Sequence, residues 1–264
     1  MIMGGNWNRN KIISYMKKVL DKAKNFSNIV CVGDVHGKTA ELGFRIRERY
    51  KISDSIIILC GDIGFGFNKQ GYHKAEMDKL NRILKKTNNV MYIIRGNHDD
   101  PAYFDGRTVC GDWSRIALVP DYTVIESNNK RVLCIGGGIS VDRTQRTVGR
   151  SYWKDEIAVY DEKKLAKSGF VNIVCTHTSP AMCMPRYKIG IEGWLLRDLE
   201  LENDVNAERK VFSDVFEYLK VALPVGYLQH WVYAHFHISY SEQLDGCLFR
   251  AIDELEFYQI PISR

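Results

Sequence analysis

Five of the seven histidines in this sequence fall in short polar clusters, each directly following an apolar run. The clusters read GDVHG at 33–37, GDIG at 61–64, RGNHD at 95–99, THTSP at 176–180 and AHFH at 234–237. A turn needs the glycines and can use the asparagine, but it has no need of a histidine set between an amide and a carboxylate. Together, Asp34, His36, Asp62, Asn97, His98, His177, His235 and His237 offer carboxylates, imidazoles and one carboxamide, with no thiolate. That donor set suits borderline divalent ions such as Mn, Fe or Zn. One ion takes about four to six ligands, so these groups are too many for a single site. Two ions sharing a bridging carboxylate would use them, and such pairs, about 3.5–4 Å apart, recur in displacement at phosphorus. Each cluster alone is also ordinary turn chemistry; the joint occurrence after five apolar runs is what points to metal. His73 and His230 lie outside the set and read as structural or solvated.

The elements that must deliver these residues can be read from the apolar patterns. NIVCV (28–32), SIIILC (55–60) and VMYII (90–94) are short continuous apolar strands. Helices are expected between them at 38–50 and 73–86, the second with Met77, Leu80, Ile83 and Leu84 spaced for one face. This alternation predicts βαβ units in a sheet covered on both faces. The second half carries the strands YTVIE, RVLCIGG, VNIVCTH, WVYAH, ISYSEQL and CLFRAID, the last three spaced as in a meander, and a helix at about 207–222. An N-terminal helix is expected over 10–25, with Ile12, Ile13, Met16, Val19 and Leu20 on one face. The whole suggests two packed mixed sheets with helices outside, chemistry collecting beyond the carboxyl ends of the strands.

At 264 residues, 45% hydrophobic and 26% charged, the chain suits one large domain or two small ones. The net charge of +5 is compatible with a phosphorylated or nucleic-acid partner without demanding one. No apolar stretch approaches the ~18–20 residues of a membrane span, and the N-terminus lacks the apolar core of a secretion signal. The seven cysteines show no C-x-x-C spacing; Cys31, Cys60, Cys134 and Cys175 sit in apolar strands and read as core residues of a reducing compartment. A cytoplasmic location, with no membrane association and no obligate protein partner, is the expectation.

The ordered series GDxHG, GDxG, GNHD, the histidine of THTSP and a closing HxH resembles the calcineurin-like metallophosphoesterase superfamily, in particular its bacterial and prophage-type members. The motifs span positions 33–237. The resemblance implies an α/β fold, a four-layer αββα sandwich of two mixed β-sheets flanked by helices, with a dinuclear centre between the sheets. Residues 1–264 would form one such domain, 1–27 a helical extension to it. By position, Asp34, His36 and His237 would hold a first metal, Asp62 would bridge, and Asn97, His177 and His235 would hold a second. The cofactors implied are two divalent ions, Mn, Fe, Zn or Ni, with Mn favoured. A hydroxide bridging them would be the nucleophile. His98 would be the catalytic acid rather than a ligand, and Asp99 would orient its imidazole and help keep it protonated.

Protein Ser/Thr phosphatases of this superfamily carry GDxxDRG and GNHE. Here Phe65 and Gly66 replace that Asp and Arg, and Asp99 ends the third motif, which argues against that class. The closing motif has Ala234 where relatives commonly have Gly, and its HxH pattern fits the phosphodiesterase-like branch better. GGGISVDRTQRTVGRSYWKDE (136–156) resembles a glycine-rich stretch of the prophage-type members; Arg143 and Arg146 are candidates to bind phosphate, and Tyr152 or Trp153 to stack on a base, against a structural Asp142–Arg143 pair. Residues 181–206, with Arg186, Lys188 and Trp194, read either as a lid or specificity loop or as a plain surface excursion. The expectation is a metal-dependent phosphoesterase acting on phosphomonoesters or phosphodiesters of a small molecule or nucleotide. The alternatives are a nuclease or nucleotide phosphodiesterase, nucleic acid then being a partner, and a non-catalytic scaffold with the same fold.

Overall fold

A computed structural model describes residues 17–128, 130–186 and 190–261. Two sheets face each other. The first holds β1 (Asn28–Val32), β2 (Ser55–Leu59), β3 (Val90–Ile93), β4 (Ile116–Leu118) and β11 (Phe257–Gln259), in the order β11-β1-β2-β3-β4. Its first four strands in sequence are parallel, and β11 runs antiparallel to β1. The second holds β5 (Thr123–Glu126), β6 (Arg131–Ile135), β7 (Ile173–Thr176), β8 (His230–Tyr233), β9 (Tyr240–Leu244) and β10 (Cys247–Ala251), in the order β5-β6-β7-β8-β10-β9.

The central strands are apolar because both faces of each sheet are covered there. Along β1, Cys31 points, with Ile58 of β2, at the opposite sheet, into one buried cluster with Cys134, Ile173, Cys175 and Val232. Its neighbours Val30 and Val32 point outward, onto Leu42 of α1 (Thr39–Phe44) and Met77, Leu80 and Leu84 of α2 (Gln70–Lys86). In the second sheet, Leu133, Val174, Trp231 and Phe249 point outward onto Leu165 of α3 (Glu162–Ser168) and Phe212, Val215, Phe216 and Leu219 of α5 (Leu201–Ala222). This period-two alternation produces helix, sheet, sheet and helix layers, the α/β sandwich expected. All seven cysteines are free and buried, so the reading of Cys31, Cys60, Cys134 and Cys175 as core residues holds. No described helix is long and apolar enough to cross a membrane.

Several expectations are corrected. The last strands do not form a meander: β10 returns from the hairpin with β9 and inserts beside β8, parallel to it, leaving β9 at the edge. The reason is burial, since β10 alternates buried residues while β9 is largely exposed. The short strands β4 and β11 and the helices α3 and α4 (Glu192–Leu195) were not foreseen. The segment expected as α-helix over 38–50 turns into a π-helical stretch at Arg45–Arg49. Helix α5 starts at Leu201 rather than about 207, so the long connection after THTSP is partly helical; Glu202 and Asp204 in its first turn suit the positive end of the helix dipole. Of the helix expected over 10–25, residues 17–23 are helical and the earlier part lies outside the described residues, as does Lys188.

Candidate metal centre

Strands β1, β2 and β3 of one sheet and β7 and β8 of the other end at the same edge of the sandwich. Beyond their ends Asp34, Asp62, Asn97 and His177 are buried, while His36 is less enclosed. Two groups of ligand atoms form there. In the first, Asp34 Oδ2 lies 2.9 Å from His237 Nε2 and 3.8 Å from His36 Nε2, and the two Nε2 atoms are 3.1 Å apart. In the second, His177 Nε2 lies 3.0 Å from Asn97 Oδ1, 3.1 Å from His235 Nδ1 and 3.3 Å from Asp62 Oδ1. Asp62 joins them, since its other oxygen, Oδ2, is 3.9 Å from His36 Nε2.

The donor chemistry fits cations. His177 Nδ1 donates to the Cys60 carbonyl at 2.7 Å, which leaves a bare lone pair on Nε2. That lone pair faces the oxygens of Asn97 and Asp62, an arrangement that repels unless a positive ion lies among them. Asn97 is fixed with its oxygen inward because its Nδ2 donates to Ser140 Oγ at 3.2 Å, and that hydroxyl donates in turn to Glu156 Oε2 at 2.9 Å. Asp34 Oδ2 is buried without an aligned hydrogen bond among the described residues, despite its short approach to His237. Burial, reinforced by Asp34 and Asp99, raises the Asp62 carboxyl well above its ordinary range. Burial opposes ionisation of Asp34 too, but His237, His177 and His235 outweigh it and hold its pKa down. Burial also lowers His36, His177 and His235, keeping these imidazoles in the neutral form that binds metal.

The backbone is bent to make this meeting possible. His36, Asp62, His235 and His237 all adopt positive φ, between 46° and 68°. Non-glycine residues seldom do so, and such positions, costing of order 1–3 kcal/mol each, gather at functional sites. Gly96 serves a different need from the tight turn the sequence suggested. A Cβ there would sit 2.0 Å from Asp62 Oδ1, so the third cluster can approach the Asp62 carboxylate only as glycine.

His98 lies at the rim. One of its nitrogens, Nε2, is 2.9 Å from Arg146 Nη2, so the guanidinium donates and the imidazole accepts. Burial, with Arg146 second, pushes its pKa down to about 3. An atom of His98 also comes within 4.8 Å of ligand atoms of His36 and Asp62, so distance alone does not separate it from the ligands. The expected contact from Asp99 to this ring is replaced by another. Asp99 Oδ1 accepts the backbone N–H of Gly64 at 2.8 Å and of Phe65 at 2.9 Å, and Oδ2 accepts that of Gly96 at 2.9 Å. Its carboxylate pins the GDIG loop to the GNHD turn.

The two arginine candidates separate. Arg143 pairs with Asp198 and with Asp204, both at 2.6 Å, tying the 136–156 loop to the start of α5, which removes it from the phosphate-binding expectation. Arg146 reaches the site: besides His98, it contacts Ser140 Oγ at 3.1 Å and Asp142 at 2.6 Å, so Asp142 pairs with Arg146 rather than Arg143. Trp153 is buried and is not free to stack on a base. Arg186 is held by Glu242. His73 is structural, accepting the Gly66 N–H at 3.1 Å, and His230 is buried within β8. Sequence reasoning missed Ser140 and Glu156; the signal for Ser140 is a small polar residue two positions after the GGG run.

The profile of the calcineurin-like phosphoesterase family matches residues 27–239. No curated protein matches. Among solved structures, TT1561 of Thermus thermophilus is 13% identical with a TM-score of 0.48, over 87% of this chain and 90% of that one. The phosphopantetheinyl hydrolase from Mycobacterium tuberculosis is 12% identical with a TM-score of 0.45, over 87% of this chain and 90% of that one. The cold-active protein-tyrosine phosphatase of a psychrophilic Shewanella species is 16% identical with a TM-score of 0.41, over 89% of this chain and 75% of that one.

Proposed function

The chain belongs to the calcineurin-like phosphoesterase family, and from that premise we propose that it hydrolyses phosphomonoesters or phosphodiesters at a two-cation centre formed within a single domain. The observation that carries the reading is the placing of Asp62. One carboxylate oxygen faces the Asn97–His177–His235 group and the other faces the Asp34–His36–His237 group. Two divalent ions held there would supply nucleophilic water at neutral pH and screen the charge of the phosphate.

The protein's own groups do the rest. Arg146, its guanidinium next to His98, is placed to donate to the phosphate oxygens. Ser140 and Glu156 hold both Arg146 and Asn97 in position through one hydroxyl. His98 stands where a leaving oxygen would need a proton. It is neutral in the free site, and an arriving phosphate dianion favours its protonated form. The donor set is the one manganese, iron, zinc or nickel would accept, and we favour manganese.

The test is metal analysis of the purified protein together with turnover of mono-, di- and nucleotide phosphoesters in Mn, Ni and Zn. Asp62→Asn removes the charge shared by both groups. It should lower bound metal and reduce turnover by several orders of magnitude. An Asp62→Asn protein that keeps both its metal and its activity would remove the basis for this reading. Wild-type protein that binds metal but turns over none of the esters would favour the scaffold alternative.

A further inference from the structure

The loop after β2 is pinned by contacts that the metal centre does not use. Asp99 accepts the N–H groups of Gly64 and Phe65, His73 accepts that of Gly66, and Asp100 donates its N–H to the Phe65 carbonyl at 2.7 Å. Phe65 is buried against His73 and Tyr103. Gly66 has φ of 99°, and a Cβ there would meet Trp153 at 2.6 Å and Asp100 at 2.7 Å. The alternation Phe65-Gly66-Phe67 therefore buries the first ring and turns the second outward.

That second ring lies beside the reacting centre. Phe67 stacks on His98 with ring centroids 5.5 Å apart and planes inclined by 13°. Trp153 backs it edge-on, with centroids 5.4 Å apart. Phe67 is still 38% exposed. A firmly held, partly open aromatic face thus adjoins the residue proposed to serve the leaving oxygen, and Arg146 occupies that residue's Nε2.

Building on the phosphoesterase reading, we infer that Phe67 is the platform on which the leaving group stacks, and that preferred substrates carry a flat aromatic ring there, an aryl group or a nucleobase. Recognition of this kind is tolerant of ring identity because every such ring presents a π-face. It requires a position that is rigid before binding, which the pinned loop supplies.

Binding can be measured without turnover by using phosphonates, whose C–P bond is not hydrolysed. The probes are phenylphosphonate, a nucleoside 5′-phosphonate and ethylphosphonate, titrated against Mn-loaded wild type, Phe67→Leu and Phe67→Trp. Stacking of this kind corresponds to on the order of tenfold in affinity or more. The expected result is a wild-type preference for the aromatic probes over ethylphosphonate of that size, its loss in Phe67→Leu and its retention in Phe67→Trp. A benefit shared by both aromatic probes assigns recognition to the flat ring; a benefit confined to the nucleoside probe assigns it to the base. The inference is overturned if Phe67→Leu keeps the preference, or if all three probes weaken alike, since Phe67 then merely covers His98. Should the preference appear while the matching esters are not hydrolysed, the platform stands and the hydrolase reading fails.

Discussion

Replacing Asp99 separates two roles that its place in GNHD leaves open. Its carboxylate accepts three backbone N–H groups at 2.8–2.9 Å, from Gly64, Phe65 and Gly96. The residue itself is wholly buried. Asp99→Ala leaves these donors without an acceptor, at about 1–3 kcal/mol for each one buried. Gly64 is only partly buried and can recruit water, so the total should fall near the lower end, roughly 3–5 kcal/mol. Asp99→Asn keeps one oxygen and turns an amide N–H₂ toward a backbone donor, costing about 1–3 kcal/mol. In a chain of this size that corresponds to a melting temperature lower by roughly 2–10 °C. Urea and thermal unfolding would measure the loss, and a pH–rate profile would be recorded on the same Asn variant. The expected outcome is lower stability and a lower rate with the shape of the profile unchanged. An Asn variant as stable as wild type, with a displaced acidic limb, would show that Asp99 works on the His98 proton after all.

Removing the proposed acid should behave differently. His98→Ala should retain bound metal and lose most rate on esters with poor leaving groups, whereas loss of metal with no such selectivity would make His98 a ligand. Glu208, buried on α5 with Oε1 unpartnered among the described residues, provides a test of stability against pH. Burial pushes its carboxyl up to about 8 despite the Ile139 N–H and nearby Arg209. Between its ordinary value of 4.5 and about 8 the folded state holds a proton that the unfolded chain has lost. Its contribution therefore declines as pH rises, by up to about 1.4 kcal/mol per unit. Glu208→Gln should match wild type near pH 4 in urea unfolding and exceed it at pH 9, and a difference independent of pH would contradict the assignment.

What could be read from the sequence follows from what each feature depends on. The candidate ligands were legible because metal chemistry restricts residue type, and because strands covered on both faces leave little other reason for His177 or His235 to follow an apolar run. The outer strands were not. Ile116–Leu118 and Phe257–Gln259 are only three residues each, too short for a periodic signal. The insertion of β10 beside β8 depends on which of two adjacent strands buries more surface, a competition that local pattern does not reveal. Asp99 was misread for a similar reason. Sequence adjacency suggested His98 as its partner, while two of the three donors it meets come from residues 64 and 65, brought close by the packing of β2 beside β3. Arg143 and Arg146 look equivalent in the sequence, and what tells them apart is the arrival of Asp198 and Asp204 at Arg143 while Arg146 reaches His98.

The pairing of β11 with β1 has a consequence for how the protein is made. Gly33 N–H donates to the Glu256 carbonyl, and Leu255 N–H donates to that of Asp34. The first cluster thus leaves the ribosome well ahead of the backbone that steadies it. A nascent polypeptide halted before residue 255 would carry every candidate ligand yet hold Asp34 loosely. Competence should therefore arrive only once residues 255 and 256 have been made, and products truncated before them should be inert.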